Sequence, residues 1–198
     1  MPDQPVPAAR FAPQILLPPY SYVPGHELPH PVNDPAGHLY GVQHEPPIPA
    51  AELTLLPTEP EPRRRALAAT LATNSRWLYA LDLFNAGFYW EAHEVWESFW
   101  NALGRKTPEA LFIQGLIHLA AAAVKIREGR PAGVIRHTKR ARELLGDPAA
   151  ADPGGTLGIA PGSLSALITE LETYTPACWH TSKTPAVRVL AGHLRLAG

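Results

Sequence analysis

The segment AHEVWESFW places His93, Glu94, Glu97 and Trp100 within a few residues of one another. On a helix His93 and Glu97, four apart, stack on the same side. An imidazole beside a carboxylate under an indole is partly desolvated, and that moves both proton affinities toward the range where protons are exchanged near neutral pH. In such a pocket Glu97 would be base or ligand, His93 its partner and Glu94 a further catalytic candidate. Downstream, LFIQGLIHLAAAAVK is apolar almost all round, and its one narrow polar stripe is Gln114, His118 and Lys125, with Ala121 between. Should that stripe face the first seam, Trp100, Gln114 and His118 line a site for a small ligand. His93, Glu97 and His118, with Glu94 as a fourth candidate, would also suit a divalent metal such as zinc or iron(II). Neither HExxH nor a paired ExxH pattern is present. The bland alternative is a satisfied histidine–carboxylate pair that only locks two helices together, as in a non-catalytic interaction module.

These residues must be positioned by helices. Placed at 100° per residue, Phe88, Tyr89, Ala92, Val95, Trp96, Phe99, Trp100 and Leu103 fill one arc, the core face of a helix from Phe88 to about Leu103. His93 and Glu97 fall at its edge, with Glu94 and Glu91 further round. Gly87 and Gly104 bound this helix. Thr107 and Pro108 open the apolar one, which ends at Gly129. Thr58 and Glu61 have capping-box spacing for a helix reaching about Phe84, with a break near Asn74 and Ser75. Pro131 to Leu145 reads as a further helix, and Ser163 caps a short one to about Thr173. AVRVL near the end reads equally as strand or helical turn. The expected fold is all-α: a compact helical bundle with an antiparallel helical hairpin at its centre.

Over 76–146, FNAGFYWEAHEVWESFW and LFIQGLIHLAAAAVK resemble the domain of unknown function 309 family of bacteria and archaea, marked by HxxxExxW. Here the motif is His93, Glu97 and Trp100, flanked by Phe84, Asn85, Gly87, Glu91, Ala92 and Glu94; Gln114, Gly115 and Leu116 carry the second block. The resemblance implies a compact all-helical fold and assigns no activity. Where members commonly carry glutamine, this chain has His118.

The rest of the chain bounds the reading. With 198 residues, 45% hydrophobic and 18% charged, it suits one globular domain rather than a fibrous or disordered chain. Of 23 prolines, 16 lie in residues 1–62, so an arm over 1–57 runs extended ahead of a helical domain over 58–198. The arm region carries Asp3, Glu27, Asp34, Glu45, Glu52, Glu59 and Glu61 against Arg10 alone, which leaves the body net positive and invites the arm to dock on it. His30, Asp34 and His38 recur at intervals of four, but Pro31 and Pro35 forbid a regular helix, so they belong to a turn-rich loop that caps the body or forms a lid over the His93 seam. Trp90 lies off the core arc and needs cover from the arm or from a second copy in a homodimer. Arg127, Arg130, Arg136, Lys139, Arg140 and Arg142 gather around the helix from Pro131. Mutual packing with acidic residues or cover by the arm explains them better than nucleic acid, since net charge is −1 and no binding motif accompanies them. Cys178 is the single cysteine and adjoins Trp179 and His180, a poor geometry for a nucleophile and base. It excludes an internal disulfide. With no apolar run of membrane-spanning length and no signal-like segment, a cytoplasmic location is the expectation.

Overall fold

The computed structural model describes residues 9–146, 154–175 and 186–197. Among them are seven helices and no strand: α1 Ala50–Thr54, α2 Pro60–Thr73, α3 Ser75–Asn85, α4 Tyr89–Ala102, α5 Pro108–Arg127, α6 Pro131–Leu145 and α7 Pro161–Glu172. The protein is an all-α bundle. Proline stands in the first turn of α2, α5, α6 and α7, where its missing N–H would have had no helical partner.

Some boundaries differ from those expected. The Thr58–Glu61 capping box does not form; Glu59, held extended before Pro60, is the N-cap, and Thr58 Oγ1 donates to Glu59 Oε1. Ser163 likewise sits inside the first turn of α7, which Pro161 starts two residues earlier, and its hydroxyl donates to the Ala160 carbonyl. AVRVL forms no strand; the C-terminal segment makes only an isolated bridge between Ile159 and Leu196. The break between α2 and α3 falls at Asn74, whose Oδ1 accepts from Arg76 N and Trp77 N.

Helix α5 is the hub, packed against both α4 and α6. It is long and apolar enough to pass a membrane-span criterion, but 72% of that stretch is buried inside the fold, the signature of a core helix. Small residues set how closely its neighbours approach. A Cβ on Gly115 would lie 2.6 Å from the Leu145 side chain of α6, and one on Gly133 of α6 would lie 2.8 Å from the Lys125 side chain of α5. The predicted core face of α4 is buried except at its edges, where Val95 and Trp100 are half-buried.

Two acidic side chains of the body hold the arm. Asp82, buried in α3, accepts from Phe11 N and Ala12 N, both at 2.8 Å, and Arg10 Nε lies 3.4 Å away. Glu91, buried in α4, accepts from Ser21 Oγ at 3.0 Å and Tyr22 N at 2.8 Å. These contacts run opposite to the charge argument: acids of the body receive amides of the arm. Turns within the arm pair many of its N–H groups, such as Ile15 N with the Ala12 carbonyl and Leu39 N with the Pro31 carbonyl; the amides of Phe11, Ala12 and Tyr22 are met by the body's carboxylates instead, since buried N–H groups need a partner. Trp90 is covered by arm rings, Tyr22 and His30, each 5.4 Å away and near edge-on. At the other end, Tyr89 Oη accepts from Val189 N and Leu190 N, and Asn85 exchanges two hydrogen bonds with Leu194. Gly87, at φ +89°, leaves no room for a side chain, since a Cβ would lie 2.7 Å from the Val187 backbone.

Asp82→Ala strands two arm amides that now meet a carboxylate, so we expect a loss of about 2–3 kcal/mol in chemical denaturation and faster cleavage of the arm in limited proteolysis. Unchanged stability would show that the Asp82 contacts contribute nothing to holding it.

Candidate functional site

On α4 the HxxxExxW residues form a half-buried edge. His93 Nδ1 lies 3.4 Å from Glu94 Oε1 and His93 Nε2 lies 4.0 Å from Glu97 Oε2. Both separations exceed a good hydrogen bond, and Nδ1 is shielded from solvent without a hydrogen-bond partner. One ligand atom from each of His93, Glu94 and Glu97 falls within 4.8 Å of the others. The helical wheel places Glu94 further round than Glu97, yet the structure brings its carboxylate nearer to the imidazole. A glutamate side chain is long enough to swing back along the helix surface, which a wheel drawn through Cα positions ignores.

The polar stripe of α5 goes partly elsewhere. His118 Nδ1 lies 2.9 Å from His137 Nδ1 of α6, the rings tilted at 37° with centroids 5.1 Å apart. His118 does not join the close cluster around His93, although it interacts electrostatically with that ring. Burial holds the His118 imidazole below its ordinary value, helped by Arg140, His93 and Arg136. Burial also lowers His137, to about 4, with further contributions from His118, Arg136, Lys125 and His93. Both rings are therefore neutral at neutral pH. Gln114 is half-buried with no side-chain hydrogen bond among the described residues. Lys125 is tied to Glu128 at 2.6 Å. Trp100 gives its indole N–H to the Arg105 carbonyl, and the Arg105 guanidinium sits 5.1 Å over its ring, so its contacts secure the α4–α5 turn.

Sequence reasoning missed His137. Its neighbours Arg136, Lys139 and Arg140 read as a basic surface, but the buried residues of α6 are Val134, Thr138, Ala141 and Leu145. His137 is three residues from Val134 and four from Ala141, and that spacing was the available signal.

The basic cluster is largely paired within the body. Arg130 meets Glu128, Arg140 meets Glu143, and Arg142 makes a two-pronged contact with Glu172 at 2.5 and 2.7 Å. The partners are acids of α6, α7 and the α5–α6 turn, not the arm. Arg127 is buried and interacts electrostatically with Tyr89 and Glu91. A cavity of about 410 Å³ lies on the face of α6 turned to α7, lined by Val134, Ile135, Thr138, Lys139, Leu171 and Tyr174 among others. None of the seam residues borders it. Cys178, Trp179 and His180 lie outside the described residues.

In the arm, His30 Nδ1 faces the amides of Val32 and Asn33 at 3.3 Å, and Asp34 Oδ1 accepts from Ala36 N. These side chains fasten turns. His38 differs: its ring is largely buried, edge-on to Tyr20 at 4.6 Å, with Nε2 3.8 Å from Glu91 Oε1 and no hydrogen bond to either nitrogen. Desolvation pushes the Glu91 carboxyl up to about 7, although hydrogen bonds from Tyr22 N, its own amide and Ser21 hold it down. Glu91 is thus a latch for the arm, and its burial depends on contacts some 70 residues away in sequence.

Residues 77–137 match the family model described as Domain of unknown function (DUF309). No curated protein and no solved structure matches the chain.

The raised Glu91 value carries a sign. Folding favours the protonated form, so the stabilisation is complete below about pH 4.5 and is lost as pH rises through about 7. His38, lowered by burial, acts in the opposite sense below its ordinary value. Glu91→Gln removes the first titration while leaving the second. The wild-type stability minus that of Glu91→Gln should fall by on the order of 2–4 kcal/mol between about pH 4.5 and about pH 8. A difference that stays level across that range contradicts the assignment.

Proposed function

We propose that the edge of α4 binds a divalent transition metal or a small ligand, and that its histidine and carboxylates serve acid/base or hydrolytic chemistry there. His93, Glu94 and Glu97 are the primary groups; Trp100, Gln114 and His118 border them. The observation that carries this reading is the convergence of three potential ligand atoms within 4.8 Å around an imidazole nitrogen that is buried and without a hydrogen bond. One nitrogen and two carboxylate oxygens match the ligand preferences of zinc or iron(II). A metal held there would supply a Lewis acid and a more acidic bound water. Glu97 has a side chain 42% exposed, so it is free to accept a proton from a ligand approaching from solvent, and His93 beside it stabilises the resulting charges. The same reading keeps the protein in a reducing compartment such as the cytoplasm, in line with its single cysteine.

The competing reading, a structural lock between helices, predicts that the carboxylate is an essential acceptor. Among the described residues Glu97 receives no short hydrogen bond, its nearest partner being His93 Nε2 at 4.0 Å, and exposed ion pairs contribute little. Glu97→Gln should therefore change stability by less than about 0.5 kcal/mol, while weakening zinc binding in calorimetry by about tenfold or more. A loss of about 1–3 kcal/mol with zinc binding unaltered would instead establish the lock.

A further inference from the structure

We infer that the cavity between α6 and α7 is a binding site separate from the α4 edge, for a carboxylic acid with a short apolar body whose carboxylate meets Lys139 and Thr138. The cavity measures about 410 Å³, within the range of small-ligand sites, about 300–1,000 Å³. It exists because α6 uses two adjoining faces. Val134, Thr138, Ala141 and Leu145 turn into the bundle, while Pro131, Ile135, Lys139 and Arg142 follow one another at three- and four-residue steps along the next face and form one side of the cavity. Leu171 of α7 and Tyr174 just beyond it form the other. The Tyr174 hydroxyl donates to the Val189 carbonyl at 3.2 Å, which fixes its ring as a wall. Ile135, in the same lining, is left 70% exposed, apolar surface that a bound apolar group would cover.

The polar groups select the ligand. Thr138 is 3% exposed, and its Oγ1 is buried without a hydrogen bond, not even to the carbonyl one turn back. An unpartnered buried hydroxyl is unfavourable. Threonine in a helix has two accessible χ1 wells, so rotation about χ1 is its route to an acceptor in the cavity. Lys139 is exposed, and among the described residues its ammonium has no ion pair, whereas Arg140 and Arg142 beside it are paired with Glu143 and Glu172. Both oxygens of Glu172, the one acid of the described lining, are taken by Arg142. The lining therefore carries one cation in excess and offers no carboxylate to an amine. A single lysine point charge beside a hydroxyl suits a carboxylate; a phosphate is better met by an arginine fork, and that of Arg142 is already engaged. His93, Glu94 and Glu97 do not border the cavity, so this inference stands or falls apart from the metal reading.

The test is a titration of the ¹⁵N-labelled full chain with sodium octanoate, with 1-octanol as the uncharged control, followed by backbone amide shifts and repeated on Lys139→Gln and Thr138→Val. Lys139 is on the surface, and Thr138→Val exchanges an unpaired hydroxyl for a methyl of similar shape, so both variants should fold, as circular dichroism checks. The inference expects saturable binding of one octanoate per chain, with shifts centred on residues 134–142 and 171–174. Octanol should bind about tenfold or more weakly, and each variant should lose about fivefold or more in octanoate affinity, with octanol binding to Lys139→Gln unchanged. Shifts that do not saturate, or that centre elsewhere, overturn the inference. Equal affinity for octanoate and octanol overturns it too, since the cavity is then an apolar crevice without anion recognition, as does wild-type affinity in both variants. A dimer in sedimentation that buries these same residues and that octanoate leaves intact makes the occupant a second copy of the chain, which also overturns it.

Discussion

Helix α5 has no broad face it can turn to water. Apolar and small residues surround it, so it must be enclosed, and the close approach of α6 at Gly115 and Gly133 sets where everything on its narrow polar stripe ends up. Interiors packed at crystal-like density do not adjust freely. The spacing of α5 and α6 therefore sets the contact between His118 and His137. The hydrophobic effect drives the enclosure, and His93, Glu94 and Glu97 lie on an edge that the enclosure leaves half-buried.

The arm obeys a related constraint. Proline removes amides and forbids helix, so the arm folds in turns that pair many of its N–H groups internally, and those of Phe11, Ala12 and Tyr22 take acceptors from the body. Asp82 and Glu91 provide them from the body, and both are buried by the contact they make. Burial of a carboxylate is unfavourable unless hydrogen bonds compensate it. At Glu91 the compensation is incomplete, which is why its affinity for a proton rises. The arm thus covers Trp90 and closes over the far side of α4 from the bundle core, leaving the His93–Glu97 edge accessible.

Much of this was legible in the residues. Prolines at helix starts and glycines in the turns that follow mark most element boundaries, and the apolar arc on α4 identifies its buried face. His93 and Glu97 at a four-residue interval announce the seam, and two motif blocks in register point to the family that residues 77–137 match. What stayed hidden has physical causes. Glu91 reads as a surface acid because its burial comes from a segment distant in sequence. Glu94 reaches His93 through side-chain flexibility that no wheel represents. His137 is masked by the arginines and lysine around it, and only the α6 packing face reveals it. Complementary net charge suggested docking, but the contacts are backbone amides on carboxylates, whose positions a charge sum cannot contain.

The central claim is that the edge of α4 gathers the His93 imidazole and the carboxylates of Glu94 and Glu97 around a metal ion. Anomalous diffraction at the zinc edge, from crystals grown with stoichiometric zinc, tests it most directly. The account predicts a single peak about 2.0–2.2 Å from a ring nitrogen of His93 and from at least one further donor on the seam. A zinc-edge map with no peak there, or with zinc only on exposed surface groups, would contradict it.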